Sequence, residues 1–310
     1  MVIEVKDLVK RYGDLVALNH FDLNVKEGEI LGLLGPNGSG KSTAINCILS
    51  LLKYDRGTIK IFDKEMKPSA YDIKRKIGVV MQEVAVMEEL SVYDNIDYFC
   101  GLYIEDKKLR KQYVEEAIDF VALNDYRNFT PKKLSGGLKR RLNIACGIAH
   151  KPSLIFFDEP TVAVDPQSRN NILEGIRKLN ENGATIIYTS HYMEEVEYLC
   201  DDIIIIDKGK VIAKGTKDEL KAMVSNSEKV TFEIFEISTN EIEKINSLEN
   251  VIDVVYKDVS LIIRFKKAEN NLTNILEFFK NENIKFEKIT SEQPTLNDVF
   301  LEITGKELRD

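Results

Sequence analysis

Gly35-Pro36-Asn37-Gly38-Ser39-Gly40-Lys41-Ser42-Thr43 decides how the rest of the chain is read. It fits a phosphate-binding pattern of glycine, four residues, then Gly-Lys-Ser/Thr. The apolar run at residues 30–34 precedes it and reads as a buried strand, and residues 44–52 follow it and read as a helix. Strand, glycine loop and helix form the setting that such a loop requires. Glycines let the backbone N–H groups turn toward one point. The start of the following helix adds partial positive charge there. Lys41 is then expected on the β- and γ-phosphates of a nucleotide, and Ser42 on Mg²⁺. A glycine-rich turn without a ligand is the plainer reading, and the flanks on both sides weaken it.

With 310 residues the chain has room for two domains, or for one large and one small. Hydrophobic residues make up 44%, enough for a sizeable core. A net charge of -8 does not favour a nucleic-acid partner, although it leaves room for a local basic patch. Cys47, Cys100, Cys146 and Cys200 lie far apart, with neither metal-ligand spacing nor a disulfide framework, which fits a reducing cytosol. The opening Met1-Val2-Ile3-Glu4-Val5-Lys6-Asp7 mixes charges and does not read as a signal peptide. No apolar run approaches the roughly 18 residues that span a bilayer, so any membrane role is expected to come through a partner.

Residues 2–9 and 21–25 alternate apolar and polar side chains, residues 11–14 read as a turn, and residues 57–62 as a short strand. The opening is therefore expected to be a small antiparallel sheet beside a parallel core. Residues 77–81 form a strand ending at Gln82. Residues 88–134 are mostly helical in pattern, with Ser91 and Asp94 spaced as at a helix start and Pro131 breaking the region. Further strands are expected at 154–157, 184–189 and 203–206, with helices from Ser135 onward and at 170–181. Strands alternating with helices indicate a largely parallel sheet covered on both faces. Composition shifts near Met223, and residues 225–228 read as a linker. Beyond it, strand 230–236, helix 240–248, strands 251–256 and 261–265, helix 272–281 and strand 284–290 follow in β-α-β-β-α-β order. That order suggests a ferredoxin-like sandwich. Ser238 and Glu241 fit a capping box, and a closing helix is expected within residues 294–305. The expected domains are 1–222 and 229–310.

Asp158 and Glu159 end an apolar strand. In open parallel sheets, ligands bind outside the carboxyl ends of the strands. Two adjacent carboxylates there can divide the work: Asp158 orients Mg²⁺ and its waters, and Glu159 polarises the attacking water. Alone, the pair would read as solvated turn acids. Leu134-Ser135-Gly136-Gly137-Leu138-Lys139-Arg140-Arg141 is a second anion-binding candidate. Ser135 can cap, two glycines let N–H groups approach, and a helix follows. Alone, it would read as an ordinary capped helix after a proline turn.

The order of these elements resembles the ATP-binding-cassette family of transport ATPases over residues 1 to about 222. Residues 35–43 look like its Walker A loop, 154–159 like its Walker B strand and 134–138 like its signature motif. The resemblance implies an α/β P-loop fold with a parallel core sheet, a small antiparallel β subdomain and a helical subdomain, here followed by the ferredoxin-like α+β domain. It implies ATP bound by Gly35, Pro36, Asn37, Gly38, Ser39, Gly40, Lys41, Ser42 and Thr43, and Mg²⁺ held near Ser42, Gln82 and Asp158. It implies two cassettes meeting head to tail, each nucleotide lying between one Walker A loop and the other copy's Ser135, Gly136 and Gly137. Glu159, Gln82 and His191 are the implied catalytic set, with His191 resembling the switch histidine near the γ-phosphate. Tyr12 resembles the aromatic that stacks on adenine, and Asp165 the aspartate of the inter-subunit loop.

Two positions depart from the family pattern. Leu138 replaces the signature's usual glutamine, which removes a side-chain amide but leaves Ser135 and the backbone donors. Ala163 stands where glycine is more common. An apolar residue at 138 followed by a basic run, and the tail Pro294-Thr295-Leu296-Asn297-Asp298-Val299-Phe300-Leu301-Glu302, are similar to the daunorubicin-resistance-like subunits of drug and antibiotic exporters. The implied function is an ATP-hydrolysing subunit that drives a separate integral membrane permease. It would work as a homodimer or beside a similar cassette, cytoplasmic and peripheral on the cytoplasmic face of the membrane. The permease is expected to dock around residues 84–98. A soluble cassette protein acting on nucleic acid or ribosomes is the alternative; a single cassette, no heptad insertion and the acidic balance count against it. A third reading makes the last eighty or so residues a regulatory sensor, against the plainer expectation that they strengthen dimer contacts.

Overall fold

The computed structural model describes residues 1–162, 164–223, 227–266, 268, 270–292 and 295–304. Their contacts divide the chain into two compact units, one running from Met1 to Thr216 and the other beginning at Lys217.

The first unit opens on β1 (Ile3–Tyr12), which pairs antiparallel with β2 (Leu15–Val25). After β3 (Ile30–Leu34) and α1 (Lys41–Ile48), β4 (Arg56–Ile61) pairs with the other side of β1 and carries the two-residue β5 (Lys64–Glu65). The alternation read in the sequence has its physical counterpart here: Ile3, Val5 and Leu8 are fully buried while Lys6 is exposed. The turn is shorter than expected. Arg11 and Tyr12 belong to β1, and Gly13 and Asp14 alone reverse the chain, with Gly13 at φ +58 as a tight hairpin requires.

A single turn, α2 (Tyr71–Lys74), leads to β6 (Ile77–Val80). The region expected to be mostly helical resolves into α3 (Val92–Gly101) and α4 (Lys107–Phe120), which pack on each other and on α5 (Gly136–Ile148). Ser91, Asp106 and Ser135 each cap a helix by accepting a backbone N–H, from Asp94, Leu109 and Leu138 respectively. Then follow β7 (Leu154–Asp158), α6 (Pro166–Glu181), β8 (Thr185–Ser190), α7 (Met193–Leu199), β9 (Asp202–Asp207) and β10 (Lys210–Thr216). Six strands form the core sheet in the order β10-β9-β3-β8-β7-β6, parallel throughout except for the β9–β10 hairpin, which the sequence reading did not include. Every residue of β3, β7 and β8 is buried, as strands covered on both faces must be. The register sets Leu34 beside Ser190, Thr189 beside Asp158 and Phe157 beside Val80. The C-terminal ends of β3, β8, β7 and β6 therefore lie side by side along one edge.

The second unit contains α8 (Lys217–Met223), β11 (Ser227–Glu233), α9 (Thr239–Asn246), β12 (Val251–Lys257), β13 (Ser260–Lys266), α10 (Asn271–Glu282), β14 (Lys288–Glu292) and α11 (Leu296–Thr304). Its four strands are antiparallel in the order β12-β13-β11-β14. The capping box of Ser238 and Glu241 is formed. The last strand begins at Lys288 rather than at residue 284, because Asn283 closes α10 in a left-handed conformation and the chain first rejoins the sheet where Glu287 N–H meets Glu233 O. The core of this unit gathers Phe232, Phe279 and Phe286, and α8 packs on α11. Of the expected linker 225–228, residues 225 and 226 lie outside the described residues and Ser227 and Glu228 instead open β11; the ends of the expected closing helix also lie outside the described residues.

His150, just beyond α5, joins that helix to the sheet. It is 7% exposed, stacks on Tyr103 and donates from Nε2 to Ile77 O at 3.1 Å. Its buried Nδ1 has no partner. Burial pushes its pKa from 6.5 down to about 4. The fold thus holds the ring neutral, while the unfolded chain takes up a proton below its ordinary pKa. The stabilisation is full above that ordinary pKa and falls as pH drops through the window toward 4, by about 3 kcal/mol in all. Urea melts at about pH 7 and about pH 5 are expected to show a larger acid loss for the unaltered chain than for His150→Gln.

Candidate functional site

The glycine loop links β3 to α1. A Cβ on Gly35 would fall 2.3 Å from Ile206 O, and one on Gly40, at φ +112, would fall 2.7 Å from Ala17 O. Only glycine lets the loop press this closely on β9 and β2. Gly40 is the N-cap of α1 and offers no side chain to its N–H groups, so these remain free to serve an anion. Lys41 is 4% exposed; its Nζ donates to Gly35 O at 2.8 Å and Pro36 O at 3.2 Å and pairs with Glu159 Oε1 at 3.0 Å. Ser39 Oγ is buried with no partner. Pro36 is half-buried and Asn37 and Gly38 are exposed, while Ser42 and Thr43 are half-buried on the first turn of α1. A helix start, a buried ammonium and an orphaned hydroxyl together fit a polyphosphate.

Asp158 closes β7 and is 2% exposed; its Oδ1 accepts the Thr189 hydroxyl at 2.7 Å. Glu159, also buried, gathers three of the residues expected at the site. Its Oε1 meets Lys41, and its Oε2 meets His191 Nδ1 at 3.2 Å and Gln82 Nε2 at 3.5 Å. Gln82, Glu159 and His191 follow the ends of the parallel strands β6, β7 and β8, and Lys41 opens the helix after β3, which is why they can converge from such distant sequence positions. The Glu159 backbone is left-handed, with φ +47, a conformation that costs a non-glycine residue about 1–3 kcal/mol. Its N–H donates to Thr189 O at 3.2 Å and Thr189 Oγ1 at 3.0 Å, which hold it there.

The second anion candidate forms a separate locus. Ser135 and Gly136 are exposed at the start of α5. Gly137 adjoins the start of α6: a Cβ there would lie 3.2 Å from Ser168 Oγ and 3.4 Å from Asp165 Oδ2. Asp165 caps α6, and the Ser168 backbone N–H and hydroxyl hold its carboxyl below the usual carboxylate range. Ala163 lies outside the described residues. Tyr12, at the end of β1, is 48% exposed, with the Lys10 ammonium 4.8 Å from its ring centre.

Three residues of this region were not singled out from the sequence. Thr189 hydrogen-bonds both Asp158 and Glu159. Glu195, on α7, accepts from the hydroxyls of Thr161, Tyr188 and Ser190 at 2.8–2.9 Å, tying the stretch after Glu159 to the residue before His191. Arg140 lies in the basic run that ends the second anion-binding candidate and was given no role of its own, yet it is 3% exposed. Burial lowers its pKa, an effect opposed by the nearby charge of Asp158 and Glu159. The hydroxyl residues closing β8 were the one readable signal, since a strand otherwise apolar ends in Thr-Ser.

Residues 18–162 match the family model described as ABC transporter. The chain is 38% identical to the linearmycin resistance ATP-binding protein LnrL of Bacillus subtilis (strain 168), over 100% of each. It is 34% identical to the daunorubicin/doxorubicin resistance ATP-binding protein DrrA of Streptomyces peucetius, over 98% of this chain and 92% of that one. Its fold is similar to the dimeric post-hydrolysis structure of the ATP-binding cassette MJ0796 bound to ADP and Pi. The TM-score is 0.64 at 28% identity, covering 69% of this chain and 98% of that chain.

Thr189→Val keeps the shape of the side chain and removes the hydroxyl shared by Asp158 and Glu159. Thermal or urea melts are expected to show a loss of about 1–3 kcal/mol. Unchanged stability would mean that the hydroxyl does not hold the two acids.

Proposed function

The chain belongs to the ABC transporter family and is an ATP-binding, ATP-hydrolysing subunit, and from that premise we propose that it drives a separate membrane permease that exports drug or antibiotic molecules. The convergence of Lys41, Gln82 and His191 on buried Glu159 carries the hydrolytic part of the reading. The match to resistance proteins along nearly the whole chain, including the residues beyond Thr216, supports the export part. A soluble protein acting on nucleic acid or ribosomes is not favoured by these relatives.

The triphosphate of ATP would enter the loop over Gly35, Pro36, Asn37, Gly38, Ser39, Gly40, Lys41, Ser42 and Thr43 and compete with Glu159 for the Lys41 ammonium. That competition frees a Glu159 oxygen to accept a hydrogen bond from water. Glu159 then takes the proton as the water oxygen bonds the γ-phosphorus and the bond to the β–γ bridging oxygen breaks, giving ADP and phosphate. Gln82 and His191 orient the water and the γ-phosphate from either side. The oxygen donors of Ser42, Asp158 and Gln82 suit Mg²⁺, which when bound neutralises phosphate charge. Tyr12 would stack on the adenine.

Ser135, Gly136, Gly137 and Asp165 would complete the nucleotide site of a second copy or a paired cassette. Val84, Met87 and Tyr98 expose apolar surface in the stretch proposed for permease docking. Among the described residues no helix is long and apolar enough to cross a membrane. The proposed location is the cytoplasmic face of the membrane, held there by the permease. The C-terminal unit is read as a ferredoxin-like domain that adds dimer contacts, on the strength of its strand order and its β-α-β-β-α-β succession.

Two experiments test this reading. Glu159→Gln is expected to lower ATP turnover by about 10²- to 10⁴-fold while ATP still holds a dimer by light scattering. Turnover at the normal rate would remove Glu159 as the base. A chain ended after Thr216 is expected to keep ATP binding and to dimerise more weakly. Unchanged dimerisation would separate the C-terminal unit from that role.

A further inference from the structure

We infer that Arg140 is a positioning residue that fixes Gln82 and Glu159 relative to each other and couples both to the helix bearing Ser135–Gly137. The inference rests on the ATPase reading above. The guanidinium donates to four backbone carbonyls: Nε to Pro160 O at 2.7 Å, Nη1 to Met81 O at 3.0 Å and Gln82 O at 2.6 Å, and Nη2 to Glu159 O at 2.5 Å. The acceptors are two consecutive pairs, one just past the end of β6 and one just past the end of β7. Ladder pairing between those strands ends at Val80 and Phe157. Beyond that point the side chain of Arg140 takes over from the sheet in holding the two chain segments together.

A buried cation on neutral acceptors is an expensive way to fill space. Desolvating a guanidinium costs several kcal/mol, and an apolar side chain would fill the same volume without that cost. What it supplies is geometry: a rigid planar fork with donors enough for both carbonyl pairs at once, which a lysine cannot reproduce. The fork also acts on a strained point, because the Glu159 carbonyl it holds belongs to the left-handed residue. The rest of α5 grips the same stretch. Asn143 Oδ1 accepts from Ala85 N at 3.0 Å, and Lys139 Nζ pairs with Glu88 at 3.3 Å.

The consequence concerns communication between sites. The N-terminus of α5 is the part proposed to face a nucleotide bound by the other cassette. Its second turn holds the backbone of the water-activating residue of its own site. A movement of α5 as the pair closes is therefore transmitted through Arg140 to Gln82 and Glu159.

The test uses the full-length chain. Arg140→Lys is expected to lower kcat by about ten- to a hundredfold, with KM for ATP and affinity for a non-hydrolysable ATP analogue changed by less than about threefold. Adding Gln82→Ala is expected to cost less than the product of the two separate losses, because the two residues share one route. Arg140→Gln carries the same comparison where the lysine variant does not fold. A kcat within about twofold of the unaltered chain would overturn the inference. So would a parallel loss of kcat and analogue binding, fully multiplicative losses in the double variant, or failure of both variants to fold, each of which marks a residue of purely local or structural effect. Failure of the unaltered chain to hydrolyse ATP would instead overturn the reading on which it rests.

Discussion

Parallel pairing of β6, β7, β8 and β3 is the constraint on which the rest depends. In a parallel sheet all carboxyl ends share one edge, so residues that follow different strands meet without any contact in sequence. Gln82 follows β6, Asp158 closes β7 and Glu159 follows it, His191 follows β8, and the loop from Gly35 to Gly40 follows β3. A slip of one residue in any of these pairings would turn the terminal side chain to the other face of the sheet. At the end of β8 the register is held by polar groups that a slip would separate: Thr189 bonds Asp158, and Ser190 bonds Glu195.

The edge so formed concentrates features that oppose folding. Lys41 and Glu159 form a buried pair whose desolvation can cancel its Coulomb attraction. Glu159 is left-handed, Ser39 Oγ is orphaned, and Arg140 is a buried cation. None of these would persist in isolation. They are held by neighbours that over-determine them: Thr189 on two sides of the acid pair, Arg140 on four carbonyls, and the glycines that admit Ile206 O and Ala17 O. Stability generated in the apolar layers is thus used to maintain a polar, strained edge, the expected cost of a preorganised site. Glu195 extends the same pattern outward, collecting three hydroxyls around one buried carboxylate.

The chain's own residue order made the phosphate loop, the acid pair and the helix starts legible, because each is a local device. A loop that must turn needs glycine where φ is positive or a Cβ would collide, a helix start needs a short oxygen side chain, and a doubly covered strand needs an unbroken apolar run. Each of these leaves its mark within a few residues. From β11 onward the second unit's element order was readable as well, although α8 was not, and β11 and β14 begin elsewhere than expected, β14 because closure of α10 delayed the return to the sheet.

Tertiary structure alone decided which distant groups touch, and so which of them act together. Arg140 is the clearest case. Beside Lys139 and Arg141 it is one basic residue of three, and nothing local distinguishes it; helix α5, packed against β6, turns it inward onto carbonyls contributed by other segments. Thr189 and Glu195 became visible in the same way. The physical reason is the same in kind: Arg140 and Glu195 bond carbonyls and hydroxyls found along any chain, and Thr189 bonds an acid 31 residues away, so residue type carries no trace of the pairing and only the packed arrangement of strands brings donor and acceptor within reach.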